Sequence, residues 1–198
     1  NLTSNQEAIV ATDDSRLTPD SVVLATIPIS HMYGFNVSLL TTLRVGGTVV
    51  LTTGFQTSTC VELIKTHGVD RFAGVPPMWR ALIDSPAPDD AFEGVIRIAS
   101  GASALHPRLW KEFKERFGVE LQEGYGLTET SPAVTSHIGI PVRAGTVGKP
   151  VPGVEVKVVD HDGNTVPFDD SGEIMVRGPG VFLGYWENEE ATKAVLDD

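Results

Sequence analysis

The chain has 198 residues, 41% hydrophobic and 21% charged, which suits one or two soluble globular domains and excludes collagen-like, disordered and mucin-like chains. Its 15 Lys and Arg against 26 Asp and Glu give a net charge of −11; this argues against a non-specific nucleic-acid binder or a protein docked on anionic lipid, both of which need a basic footprint. The single cysteine, Cys60, excludes an internal disulfide and a CxxC site and fits a reducing compartment.

Residues 22–29 are near-continuously apolar with β-branched members, the pattern of a buried strand. The run holds Thr26 and Pro28 and is far shorter than the ~20 residues of a membrane span. Phe35, Leu39, Leu40 and Leu43 follow at helical spacing, and after Gly46-Gly47 a second strand is predicted over 48–51. Thr59 and Glu62 have capping-box spacing; Cys60, Val61 and Ile64 share a helical face that Gly68 closes. A third strand is predicted over 71–74. Pro77 then opens a helix with Met78, Leu82 and Ile83 on one face, ended by Ser85-Pro86. A fourth strand over 95–99 precedes a helix that starts at Pro107, aligns Leu109, Phe113 and Phe117, and ends at Gly118. A fifth strand is predicted over 119–122. Alternating strands and helices imply an α/β fold with a mostly parallel sheet and flanking helices.

From about Pro141 the pattern changes. Residues 154–158 alternate with period two, Asp162-Gly163-Asn164 signals a turn, residues 173–177 read as another strand, and no helical pattern returns until Asn188. The expected organisation is an α/β subdomain over 1–140 and a smaller β-rich, partial-barrel module over 141–198, with the boundary between Ser136 and Thr146. The chain opens on Asn1 without a signal-peptide pattern, and residues 188–198 read as a helix with no stop signal. The expectation is a truncated piece of a larger cytoplasmic protein.

In open parallel sheets, ligands bind beyond the carboxyl ends of the strands. Four such ends carry unusual residues: Ser30-His31-Met32-Tyr33-Gly34, Gly74-Val75-Pro76-Pro77, Ser100-Gly101-Ala102-Ser103 and Gly124-Tyr125-Gly126-Leu127-Thr128-Glu129-Thr130. Glycine lets a backbone approach a ligand, and hydroxyls donate to phosphate oxygens. One glycine after a strand is usually a turn; four such ends together point to a site. Three other readings fail. Gly101-Ala102-Ser103-Ala104-Leu105 has Leu105 where a serine-hydrolase elbow needs glycine. Gly145-Thr146-Val147-Gly148-Lys149-Pro150 lacks P-loop spacing and puts Pro150 in place of the magnesium-binding hydroxyl. His31, His67, His106, His137 and His161 show no zinc-ligand spacing.

The segment from Gln122 to Thr130 resembles the YG-x-TE signature of the AMP-forming adenylating enzymes, which include acyl-CoA synthetases, aryl-CoA ligases, luciferases and peptide-synthetase adenylation domains. Ile27-Pro28-Ile29-Ser30-His31-Met32-Tyr33-Gly34 resembles the family's LP-x-x-H-x-Y segment, and Ser100-Gly101-Ala102-Ser103-Ala104-Leu105 its SGAAPL segment. Gly145 to Gly153 resembles G-x-x-G-x-P-x-PG; Gly172-Glu173-Ile174, Arg177-Gly178-Pro179 and Gly184-Tyr185-Trp186 resemble GEI…RGP…GYW. The motifs keep the family's order over nearly the whole chain.

The resemblance implies a ligase that activates a carboxylic acid with ATP to an acyl-adenylate and transfers it to coenzyme A. It implies that Tyr125 stacks on adenine, Thr128 donates to the α-phosphate and Glu129 holds Mg²⁺, with Thr128 and Glu129 as the catalytic pair. Gly101, Ala102, Ser103, Glu123, Gly124 and Gly126 are implied in nucleotide binding. His31, Tyr33, Val37 and Gly101 are implied near the acid, with Phe35, Met78 and Trp79 as further walls of an apolar acyl tunnel. Amino-acid-activating members usually carry an Asp near His31; residues 21–51 hold none, which favours a simple acid, a fatty acid first and an aryl acid second. The alternatives are a peptide-synthetase adenylation domain and a non-enzymatic nucleotide-binding module. The family's phosphate loop, its ribose-binding TGD segment and its mobile lysine-bearing domain have no counterpart in these 198 residues, so the isolated chain is expected to be inactive and to depend on those parts.

Overall fold

The computed structural model describes residues 1–12 and 17–196. A helix, α1 (Leu2–Ala11), precedes strand β1 (Val22–Ala25); a π-helix (Tyr33–Leu40) then runs into the short α2 (Thr41–Arg44). There follow β2 (Thr48–Leu51), α3 (Thr57–His67), β3 (Arg71–Gly74), α4 (Pro76–Asp84), β4 (Arg97–Ser100), α5 (Pro107–Phe117) and β5 (Leu121–Glu123). The five strands form one sheet in the order β2-β1-β3-β4-β5, every pair parallel. The fold is α/β, with a mostly parallel sheet and flanking helices.

Three antiparallel strands, β6 (Tyr125–Gly126), β7 (Ala133–Ser136) and β8 (Lys149–Pro150), make a second sheet that takes residues from both sides of position 140. Strands β9 (Glu155–Val159) and β10 (Glu173–Arg177) pair as an antiparallel ladder, and the five-residue α6 (Glu189–Lys193) follows, capped by Asn188. The expected helix over 188–198 is therefore short, and Asp197 and Asp198 lie outside the described residues.

Pairing register divides the central sheet into two faces. Leu24, Phe72, Ile98 and Leu121 stand opposite one another across β1, β3, β4 and β5. All four are buried in one core with α3, α4 and α5. Its centre is aromatic: Phe113 meets Trp79 at 5.6 Å, Phe92 at 5.3 Å and Phe117 at 4.9 Å between ring centroids. Helix α5 has the predicted bounds, and Gly118 beyond it takes φ 71°, the left-handed turn that lets a helix end without a Cβ clash. Gly68 ends α3 the same way at φ 61°. Cys60 is buried in this core, and burial pushes its thiol up to about 12, so it is a packing residue and not a nucleophile.

Several expectations are corrected. β1 stops at Ala25, because Pro28 has no N–H for a ladder and its carbonyl instead accepts from His31 N at 3.0 Å. Helix α3 starts two residues before Thr59, with Gln56 at the N-cap. Met78 and Trp79 belong to the aromatic core and not to an acyl tunnel; the Trp79 indole donates to Ser100 Oγ at 2.9 Å. The helix after β1 buries Asn36, Ser38, Thr41 and Thr42, while Leu43 is exposed. Helix α1 gives no apolar signal at all, since Asn5 and Gln6 are among its buried residues.

Phe113→Ala empties the middle of the aromatic cluster. We expect a loss of about 3–5 kcal/mol, read from the urea-unfolding midpoint of the chain.

Candidate functional site

The other face of the central sheet and the edges of β6 and β7 enclose a cavity of about 340 Å³. It lies at the carboxyl ends of β4 and β5, where an open parallel sheet offers its ligand site. Gly101 and Ala102 line it from the turn after β4, and Gly124, Tyr125, Gly126, Thr128 and Glu129 from the segment after β5. His31, Tyr33 and Val37 close it from the start and body of the π-helix. These residues are distant in sequence and meet only in the fold. Three further predicted residues stand elsewhere, among them Phe35, which does not line the cavity. Ser103 is exposed and does not line the cavity. Glu123 is buried behind the wall, where its Oε1 accepts from Leu105 N at 2.7 Å.

The glycines are set by close approach. A Cβ on Gly126 would lie 1.8 Å from the Pro132 carbonyl oxygen, across the β6–β7 pairing. A Cβ on Gly101 would press on the Tyr33 ring at 3.1 Å. The Tyr33 hydroxyl donates to the Ala99 carbonyl at 3.3 Å, and burial raises its pKa above the usual phenol value. Tyr33 is thus a neutral wall. His31 is exposed at the mouth, its Nδ1 accepting from Tyr33 N at 3.1 Å.

Thr128, Glu129 and Thr130 form a single 3-10 turn. Thr130 Oγ1 accepts from Leu127 N at 3.0 Å and donates to the Pro132 carbonyl at 2.7 Å, fixing the turn from inside. Glu129 is held from outside: its carbonyl accepts from Phe182 N at 2.8 Å, and its Oε1 accepts from the Tyr185 hydroxyl at 2.6 Å. The Glu129 carboxylate raises the Tyr185 pKa through that bond. Sequence reasoning noticed Gly184-Tyr185-Trp186 as a motif but had no means of pairing Tyr185 with Glu129. It also missed His137, a buried imidazole that joins the Glu123 carbonyl at 2.8 Å to Thr146 Oγ1 at 3.0 Å and so ties the end of β5 to the 143–146 turn.

Glu129 is the one acidic side chain among the described residues lining the cavity. No group of three or more His, Cys, Asp or Glu that could hold a metal occurs among the described residues. That arrangement fits a magnesium ion brought in on a nucleotide, because Mg²⁺ is commonly bound by one or two carboxylates and the substrate's phosphates.

The cavity lies at the carboxyl edge of a parallel sheet, where open α/β proteins take their ligands, and Tyr125, Thr128 and Glu129 are among its lining residues. Comparison with known proteins narrows the class. The model of the AMP-binding enzyme family matches residues 1–186. The chain is 33% identical over 187 residues to a 4-coumarate–CoA ligase of Pinus taeda, a match covering 90% of this chain and 35% of that one. It is 35% identical over 199 residues to a long-chain-fatty-acid–CoA ligase of Thermus thermophilus, covering 93% and 36% respectively. The crystal structure of ATP-bound MatB from Rhodopseudomonas palustris matches with a TM-score of 0.92 at 32% identity, over 100% of this chain and 39% of that chain. The chain belongs to the AMP-binding enzyme family. It spans about 35% of the length of the curated relatives it matches.

Two outcomes test the local geometry. Gly126→Ala should destabilise the chain by about 1–3 kcal/mol, again by urea midpoint, since backbone and not a flexible side chain fills the space. Glu123 offers a pH signature. Burial raises its pKa, so stability from its protonated form is complete at low pH and lost as pH rises through the folded value. Glu123→Gln keeps an acceptor for Leu105 N without the charge. The variant's stability relative to the parent should therefore improve between pH 4 and pH 7, measured as the change in the difference of their unfolding midpoints.

Proposed function

We propose that the chain forms the nucleotide-facing and acid-facing walls of an AMP-forming acid–CoA ligase. The observation that carries this reading is the convergence of Tyr125, Thr128 and Glu129 with Gly101 and Ala102 in one cavity whose far side is His31, Tyr33 and Val37. The names of the relatives, both acid–CoA ligases, and the ATP-bound structural neighbour support it. In the proposed reaction the acid's carboxylate oxygen attacks the α-phosphorus of ATP and pyrophosphate leaves. The thiol of coenzyme A then attacks the acyl carbonyl and AMP leaves. Tyr125 offers a flat face for adenine. Thr128 donates to the α-phosphate, and Gly101, Ala102, Gly124 and Gly126 let the backbone come close. Glu129 would hold Mg²⁺ together with the phosphates, and that ion would supply charge neutralisation around the transferred phosphorus. Glu123 acts through Leu105, and Ser103 has no contact in this reading.

The acid is a simple carboxylate, with fatty acids the first class to test and aryl acids the second, since the two relatives divide between them. The proposal includes the division into subdomains at 140/141 and a cytoplasmic setting. No helix among the described residues is long and apolar enough to cross a membrane. It includes inactivity of the isolated chain, because the resemblance puts the phosphate loop and the lysine-bearing domain outside these residues.

The test is carboxylate-dependent ATP–pyrophosphate exchange by the full-length protein with fatty, aryl and amino acids. Exchange with one acid class, lowered about 100-fold or more by Glu129→Ala, is expected. No exchange with any acid from a folded full-length protein overturns the reading in favour of a non-catalytic nucleotide-binding module.

A further inference from the structure

Residues 180–185 run along the Thr128–Thr130 turn and touch it three times. A Cβ on Gly180 would lie 2.8 Å from the Thr130 carbonyl oxygen. Phe182 N donates to the Glu129 carbonyl at 2.8 Å, and the Tyr185 hydroxyl donates to Glu129 Oε1 at 2.6 Å. Glu129 lines the cavity and Tyr185 does not. The phenol therefore reaches the carboxylate from outside the space a ligand would fill.

Tyr185 is itself held. Its N donates to Thr192 Oγ1 at 2.9 Å, and that hydroxyl donates to the Asn188 carbonyl at 2.8 Å. Asn188 caps α6, its Oδ1 accepting from Ala191 N at 3.1 Å. Gly184 has φ 138°, and a Cβ there would come within 2.9 Å of Thr192 Oγ1. A glycine is what allows the segment to close this tightly on α6 and present the next residue to Glu129.

Folding alone does not call for the hydroxyl. Tyr185 is 39% exposed, and its ring meets Phe182 edge to face at 4.9 Å, a contact that phenylalanine would make as well. A hydrogen bond at an exposed position replaces one to water, with a small net gain. Its distinctive effect falls on Glu129. Among the described residues the Glu129 carboxylate has no ion-pair partner, and the phenol is its one side-chain contact. A lysine or arginine in that place would cancel the charge that a cation needs. A neutral hydroxyl orients the carboxylate and leaves the charge standing.

We propose that Tyr185 is a positioning residue for the proposed reaction: it pre-sets the Glu129 carboxylate for the divalent cation that arrives with the nucleotide, without cancelling its charge. The inference rests on the acid–CoA ligase reading and adds to it a residue that touches neither nucleotide nor acid.

The experiment is calorimetry on the full-length protein with no acid present, comparing the Kd of ATP with Mn²⁺ and of ATP in EDTA. The parent protein should bind ATP more tightly with the metal, and Glu129→Ala should remove that advantage. Tyr185→Phe keeps the ring against Phe182 and leaves Glu129 Oε1 free to turn to water, so its unfolding midpoint should stay close to the parent's. It should cut the metal-dependent advantage by ~5–10-fold, the scale of ordering one glutamate side chain. Its binding of metal-free ATP should be unchanged, and in the Glu129→Ala background it should add nothing. The Mg²⁺ concentration that half-saturates ATP–pyrophosphate exchange should rise by a similar factor. Equal losses with and without metal, the same loss in the Glu129→Ala background, or unchanged or tighter metal-dependent binding by Tyr185→Phe overturns the inference while leaving the ligase reading intact. A metal advantage that survives Glu129→Ala overturns the inference together with the assignment of the ion to Glu129. Absence of exchange with every acid overturns the ligase reading itself.

Discussion

Three buried amides hold the turn on which the site is built. Asn36 Nδ2 donates to the Ser131 carbonyl at 2.6 Å and to Asn5 Oδ1 at 3.3 Å. Asn5 Nδ2 donates to the Ala133 carbonyl at 2.8 Å and the Thr130 carbonyl at 3.4 Å, while Gln6 Nε2 donates to Asn36 Oδ1 at 2.8 Å. The turn they grip includes Ser131 at φ 66°, a left-handed conformation that a non-glycine residue holds only when its surroundings dictate it. Remove an amide and its carbonyl partner is left buried and unpaired, at about 1–3 kcal/mol each. Thr128 and Glu129 thus take their positions from α1 and the π-helix, elements separated from them by about half the chain or more.

This clamp explains what the sequence hides. Helices α3, α4 and α5 were legible because their partner is the aromatic face of the sheet, and apolar burial leaves a 3.6-residue period. Leu109, Phe113 and Phe117 spell out α5 almost unaided. Helix α1 and the π-helix bury amides and hydroxyls instead. A reader of hydrophobic periodicity therefore finds nothing at residues 2–11 and places the wrong side of the second helix inward. The leucines that suggested a buried face include Leu43, which is 55% exposed. Fold and site are separated in the same way: one face of the sheet packs by hydrophobic contact, and the other is organised by hydrogen bonds in low dielectric.

The site was legible where its residues sit next to strand ends, because chain order there reports spatial order. Gly101, Ala102 and the segment from Gly124 to Glu129 were found in that way, and the structure gathers them. Long-range pairing left no local trace. Nothing near Glu123 announces that its carboxylate is occupied by Leu105 N. Nothing near Gln122 announces that it lies in register with Ala99, Ala73 and Ala25 across the sheet.

The bond between Tyr185 and Glu129 shows how such pairing conditions chemistry. Glu129 is fixed at its backbone by Phe182 N and at Oε1 by the Tyr185 hydroxyl, and Phe182 and Tyr185 brace each other edge to face at 4.9 Å. A free glutamate on a surface turn samples many rotamers, and ordering it on binding would oppose association. Here the ordering is done in advance by a segment more than fifty residues downstream. Among the described residues Oε2 takes no hydrogen bond, so the side chain is oriented without being used up. A carboxylate held at one oxygen and open at the other is ordered before any ligand arrives, and under the proposed function the advantage of such a group lies in having little reorganisation left to do.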